Sequence, residues 1–325
     1  MRAIQVDPAR GTLETIKVPD PQPAPNEVVI RIHSAGINRA DLLARSGSYS
    51  TSSSKNLPPP TIAGLELAGE IIARGKRVRN WEIGSRVMTI GQGYAQLACV
   101  DESLLIPVPS SFTWEEAGAM PIALLTAHNA LVTNGRLSQG ESVLIQAVTS
   151  GVGTMALVIA DLLEAQPIFG TSRSPQKLGQ LTKKLIGINL LQDDTAEVIA
   201  QQTNGSGVNV IIDNIGASVL TQNIASAAIR GRIVQVGRLG GATAELDLEE
   251  VARKRLTLTG VTFRTRTLQE RAEIVRSCLE DIGEALADGM LRPVVEKSFP
   301  FEQAEYAQDV LSRNDHVGKL VLTIT

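Results

Sequence analysis

At 325 residues, with 43% hydrophobic and 20% charged side chains, the chain is longer than one core readily organises and too apolar for disorder, so two domains are expected. A formal charge of −3 lacks the basic excess of a nucleic-acid footprint, and a 3% aromatic content is too low for a base-stacking platform. Cys99 and Cys278 are the only cysteines, which excludes a disulfide framework and a zinc cluster, and the N-terminal MRAIQVDPARG has no apolar signal core; a reduced cytoplasm without membrane association is expected.

The first 117 residues read as β-rich. Val28–His33, Ile62–Ile72, Arg86–Ile90 and Gln96–Val100 are short apolar or alternating runs separated by Pro, Gly, Asn and Asp, the pattern of a compact barrel-like domain. Asn38 and Asp41 stand three apart before Leu42-Leu43, the spacing of a helix N-cap with an acid at N3, so Asp41 reads equally as a cap and as a site residue. The polar stretch Ser50–Asn56 and Pro58-Pro59-Pro60 mark an exposed loop, with Tyr49 just ahead of it.

From Trp114 the period changes. A helical stretch covers about Glu115–Asn134. Strands are then expected at Val143–Gln146, Pro167–Thr171, Asn209–Asp213, Arg232–Val236 and Thr257–Val261, with helices at Thr154–Glu164, Gln176–Leu185, Ala196–Gln202, Val219–Ala228 and Leu268–Ala287. Such alternation requires parallel strands joined by crossover helices, hence an α/β doubly wound sheet. Strand-like patterning returns from Met290, and the last strand, Lys319–Ile324, is expected to rejoin the first domain. The expected division is 1–117 with 267–325 around an inserted 118–266.

The most informative stretch is Ser142–Gly153, SVLIQAVTSGVG. A buried strand, a turn opened by Gly151 and Gly153, and a following helix place free N–H groups and a positive dipole end where a pyrophosphate would bind. Ser150 replaces a glycine of the usual fingerprint, so the strand–turn–helix context carries the reading. The second strand runs into Thr171-Ser172-Arg173-Ser174, where an acid would hold the ribose of NAD; Arg173 and Lys177, with the hydroxyl of Ser172, suit the 2′-phosphate of NADP, so the cofactor is read as NADPH. Asn214 and Gly237 end two further strands, where backbone comes close to a ligand. His33, His128 and His316 have no metal partner at i+3 or i+4 and read as structural.

Asn38-Arg39-Ala40-Asp41-Leu42, Gly47-Ser48-Tyr49, Leu125-Thr126-Ala127, Ser150-Gly151-Val152-Gly153 and Phe263-Arg264-Thr265-Arg266 resemble motifs of the zinc-free NADPH:quinone oxidoreductases, ζ-crystallin relatives in the medium-chain dehydrogenase/reductase superfamily. They match most closely the tumour-suppressor-inducible quinone oxidoreductase branch. The resemblance spans essentially the whole chain and implies a Rossmann sheet inserted into a GroES-like β-barrel domain. Where the zinc-dependent branch has a catalytic Cys and a G-H-E motif, this chain reads Asn38 and Gly64-Leu65-Glu66, so no metal is expected.

Carried over, the resemblance implies Asn38 and Tyr49 at the substrate cleft, Thr126 near the nicotinamide, Ser150, Gly151, Val152 and Gly153 at the pyrophosphate, Lys177 at the 2′-phosphate, and Phe263, Arg264 and Thr265 along the nicotinamide edge. The branch tends to stack a Tyr over the adenosine phosphate near the position of Gln192, a departure here. The implied activity is two-electron reduction of a quinone by hydride from NADPH, Tyr49 and Asn38 facing the carbonyl and Tyr49 or water supplying the proton. Enones and 2-enoyl thioesters suit the same residues, and a non-catalytic NADPH-binding protein of the crystallin kind is the rival from another class. The expected partners are a small-molecule quinone or enone and a second copy of the chain, paired through the edge strand Leu256–Val261 beside Arg232–Val236.

Overall fold

Glu27–Ile37 is long and buried along most of its length, and the first unit is organised around it. The computed structural model describes residues 1–7, 9–47 and 62–325. Within them the chain divides into Met1–Leu125 together with Phe263–Thr325, and Thr126–Thr262. The first unit contains β1 (Arg2–Asp7), β2 (Thr12–Lys17), β3 (Glu27–Ile37), β4 (Glu66–Arg74), β5 (Arg86–Ile90), β6 (Leu97–Asp101) and β7 (Ile106–Pro107).

The second unit carries β8 (Val143–Ile145), β9 (Ile168–Ser172), β10 (Leu185–Asn189), β11 (Val208–Asp213), β12 (Ala227–Gln235) and β13 (Thr257–Gly260); β14 (Val295–Pro300) and β15 (Lys319–Thr323) belong to the first. In the first unit the order is β14-β15-β3-β4-β5-β7, with β6 also on β3 and β1 and β2 forming a separate hairpin. β15 pairs antiparallel with β3, Leu320 opposite Ile37, which returns the C-terminus to this sheet. Two register shifts along the β3–β4 ladder, at Val29/Ile30 and Ile32/Ser34, are the irregularities by which such a sheet bends.

The second unit is a six-stranded parallel sheet in the order β10-β9-β8-β11-β12-β13. In chain order within the sheet this is 3-2-1-4-5-6, the doubly wound Rossmann arrangement. β8 and β9 are buried throughout and β11 nearly so, as strands covered on both faces must be. Leu144, Phe169, Ile188, Ile211 and Ile233 from five strands pack with Ile199 and Ile224 from two helices.

Leu268–Ala287 is a helix with the expected bounds, started by Thr267 and Glu270 as a capping box. The expected helical stretch from Glu115 is broken at Pro121, which has no N–H to give: Trp114–Ala119 ends, Pro121–His128 begins, and a π-helical turn follows at Asn129–Asn134. The expected helix Gln176–Leu185 is corrected, since only Pro175–Leu178 is helical and Leu185 opens β10, a strand that periodicity missed. β12 starts at Ala227, so the helix expected to reach Ala228 stops at Ser226. Among the described residues no helix is long and apolar enough to cross a membrane.

Candidate functional site

The glycine turn of the second unit is built from the strand outward. After β8 the chain passes through Ala147, held at a positive φ of 52°, to Ser150, whose extended backbone starts the helix Gly151–Leu162. The Ser150 hydroxyl accepts the Gly153 N–H at 3.1 Å, and helix geometry leaves the amides of Gly151 and Val152 at the positive dipole end. A Cβ on Gly153 would stand 2.4 Å from the Ala147 carbonyl oxygen, so glycine is required where helix and turn meet.

At the carboxyl end of β9, Ser172 Oγ accepts the Ser174 N–H at 3.2 Å and lies 3.5 Å from Thr149 Oγ1, which joins this strand end to the glycine turn. Arg173 is exposed beside it, and Lys177 follows in the short helix that Ser174 caps. Asn214, just past β11, donates from Nδ2 to the Gln146 carbonyl at 3.0 Å. A Cβ on Gly237 would meet the Asn214 carbonyl oxygen at 2.1 Å, so the glycine is demanded by the neighbouring strand end. Gln192 is exposed in the turn after β10. Thr126 is buried within Pro121–His128.

Sequence reasoning missed four polar side chains beneath these turns, Gln146, Thr171, Asp213 and Asn223, all fully buried. Gln146, Thr171 and Asp213 stand at the ends of apolar strands, and that misplaced polarity was the available signal.

In the first unit Asn38 starts the helix Arg39–Arg45, and Asp41 Oδ2 accepts the Asn38 N–H at 2.7 Å and the Tyr94 hydroxyl at 3.3 Å. Burial pushes the Asp41 carboxyl up to about 7, against the pull of the Asn38 N–H and Lys319. Burial, with Asp41 beside it, also raises the Tyr94 phenol well above its usual value. The Asn38 side chain, expected to face a substrate carbonyl, is held inside the protein: Nδ2 donates to Glu66 at 2.8 Å and Oδ1 accepts from Lys319 at 2.6 Å. Lys319 reaches Glu66 Oε1 at 2.6 Å, and Glu66 Oε2 accepts the Ile122 N–H at 2.7 Å. Phe263, Arg264 and Thr265 form a turn ahead of Leu268–Ala287, where the Phe263 carbonyl accepts from Arg271 at 3.4 Å. Tyr49 lies outside the described residues.

A family model described as an alcohol dehydrogenase GroES-like domain matches residues 24–110, and one described as a zinc-binding dehydrogenase matches residues 186–322. A quinone oxidoreductase of Lama guanicoe is 28% identical over 336 residues, covering 100% of this chain and 98% of that protein. A phenolphthiocerol/phthiocerol polyketide synthase polypeptide of Mycobacterium tuberculosis is 30% identical over 330 residues, 99% of this chain, which spans only 15% of that protein's length. The solved CurK enoyl reductase superposes with a TM-score of 0.85 at 25% identity, over 100% of this chain and 99% of that one. The chain belongs to the medium-chain dehydrogenase/reductase superfamily.

Membership makes the first unit GroES-like and the second a Rossmann unit of the NAD(P)-binding kind. The residues present fit a dinucleotide: a helix N-terminus with free amides, a glycine that only the close turn explains, and hydroxyl and cationic groups at the next strand end. They do not fit a zinc ion. Asn38 offers an amide already hydrogen bonded at both ends, the Glu66 carboxylate is engaged by Lys319, Asn38 and Ile122, and among the described residues no group of three or more His, Cys, Asp or Glu is placed to hold a metal.

Proposed function

We propose that the chain is a zinc-independent, NADPH-dependent reductase that carries out two-electron reduction of a quinone. The observation that carries the reading is the cradle of Ser150–Gly153, with Ser172, Arg173 and Lys177 at the end of β9, where no carboxylate stands to claim a ribose hydroxyl. The full-length likeness to a quinone oxidoreductase supports the substrate class.

Bound NADPH would supply the hydride. Ser150, Gly151, Val152 and Gly153 would hold its pyrophosphate, Ser172, Arg173 and Lys177 its 2′-phosphate, and Asn214 and Gly237 the neighbouring strand ends. Thr126 and the turn Phe263-Arg264-Thr265 are assigned to the nicotinamide side. Tyr49 is assigned to the carbonyl oxygen, where a phenol, protonated at neutral pH, donates to the developing oxyanion; water is the competing proton source. Asn38 acts in this reading from inside the Glu66–Lys319 cluster, as a group that holds the start of its helix.

Reduction of an enone or 2-enoyl thioester is the second reading, supported by the likeness to the CurK enoyl reductase. The test is NADPH oxidation with phenanthrenequinone and with crotonyl-CoA, using the parent protein and Arg173→Ala, with NADH in parallel. Turnover of the quinone with NADPH, and a KM for NADPH raised on the order of tenfold to a hundredfold in Arg173→Ala while that for NADH stays put, is the expected result. Turnover of the thioester alone transfers the reading to enoyl reduction, tight binding without turnover to a binding protein, and no binding ends it.

A further inference from the structure

Four buried polar side chains run in one hydrogen-bonded line across the sheet where β8 and β11 lie side by side. β9 and β10 continue on one side of this pair, β12 and β13 on the other, so it is the point at which the winding reverses. Thr171 Oγ1 accepts the Ala147 N–H at 3.1 Å, so its own proton goes to Gln146 Oε1, 2.6 Å away. Gln146 Nε2 donates to Asn223 Oδ1 at 2.7 Å, and Asn223 Nδ2 donates to Asp213 Oδ2 at 3.0 Å. Asp213 Oδ1 accepts the N–H groups of Ile215 and Gly216, both at 2.8 Å. Every donor and acceptor is thereby given a direction.

The backbone carries the line into the loops. The Asp213 carbonyl accepts the N–H groups of Val236 and Gly237, Gly240 N–H donates to Ile215, and Ala217 N–H donates to Gly241. The turn after β8, the turn after β11 and the glycine turn after β12 thus share one buried frame. Burying four polar side chains where these apolar strands end is costly unless each is paired, and an apolar set of similar volume would hold a core as well. What polar side chains add is a unique arrangement of the turns they touch.

We propose that Thr171, Gln146, Asn223 and Asp213 are positioning residues for the dinucleotide, setting the three turns at the carboxyl ends of β8, β11 and β12 without touching the ligand. The proposal rests on the NADPH reading above.

The test exploits the polarity of the line. Gln146→Glu alone places a carboxylate opposite Asn223 Oδ1, and Asp213→Asn alone removes the carboxylate at the other end. In the double variant Gln146→Glu/Asp213→Asn the Asn223 amide turns over, donating to the new carboxylate and accepting from the new amide, so its two hydrogen bonds are restored in reverse while those to Thr171, Ile215 and Gly216 keep their direction. NADPH Kd, quinone KM and thermal midpoint are measured for the parent protein and all three variants.

The expected result is an NADPH Kd raised about tenfold in each single variant and back to within about threefold of the parent in the double, with quinone KM unchanged throughout. Thermal midpoints that fall while Kd stays at the parent value, or a double variant that regains its midpoint and not its affinity, overturn the proposal in favour of a purely structural role. Thr171→Val, which removes one O–H at nearly constant volume, serves the same purpose if a single variant does not fold: an unchanged Kd there counts against positioning. Absence of NADPH binding by the parent protein overturns the underlying reading, and a bound parent with indifferent variants overturns the proposal alone.

Discussion

Replacing Lys319 with methionine would leave Glu66 buried without its cation. Glu66 is 0% exposed and the Lys319 side chain 6%, with Nζ and Oε1 2.6 Å apart. The carboxylate would keep the Asn38 Nδ2 and Ile122 N–H donors, while the Asn38 Oδ1 would lose the ammonium that donates to it. Removing one member of a buried pair costs about 3–5 kcal/mol, most of it from the stranded charge. For a unit of this size that corresponds to a fall in Tm of about 6–20 °C. Both tryptophans, Trp81 and Trp114, lie in the Met1–Leu125 part of the first unit, so their fluorescence through a urea titration follows that unit. Adding Glu66→Gln removes the stranded charge and should return most of the loss. A Lys319→Met cost below about 1 kcal/mol, or a double variant no better than the single, would contradict this account, because either outcome means that the carboxylate bears no desolvation penalty in the folded state.

Asp41 binds its proton more tightly folded than unfolded, since burial raises it from 3.8 to about 7; the stability it contributes below the unfolded value is lost as pH rises through about 7. Asp41→Asn should therefore gain on the parent between about pH 5 and about pH 8 in urea midpoints, and parallel profiles would count against a raised pKa. Gly153→Ala should weaken NADPH binding by on the order of tenfold or more, because the turn must open to admit a Cβ 2.4 Å from the Ala147 oxygen; an unchanged Kd by titration calorimetry would show that the turn yields at no cost to the site. We also propose a homodimer through β13, one of the two edge strands of its sheet, where Leu258 is 52% exposed. Light scattering should give a dimer for the parent protein and a monomer for Leu258→Lys, and a monomeric parent removes the proposal.

How much was legible depended on how far apart the cooperating residues stand. The glycine turn could be read because its signals are local: Ser150 caps a helix whose amides lie within three residues of it, and the apolar period of Gly151–Leu162 follows at once. The same holds for Leu268–Ala287, whose capping box occupies four consecutive positions. β10 was missed because Leu185-Ile186-Gly187-Ile188-Asn189 is too short to declare a period, and only pairing with β9 makes it a strand.

Apart from β10, the alternation of strands and helices in the wound unit, the division between a β-rich part and a wound α/β part, and the nucleotide turn follow from short-range propensity and periodicity. The side chains that complete the interior do not. Asn38 meets Lys319 across 281 positions and Gln146 meets Asn223 across 77, pairings between elements distant in the chain: β15 laid on β3 in one case, the helix Leu220–Ser226 reaching the end of β8 in the other. A buried polar group takes whichever partner the assembled sheets bring within hydrogen-bond reach, and burial then makes that pairing obligatory; no local pattern records it, so only long-range packing brings Asn38 to Lys319.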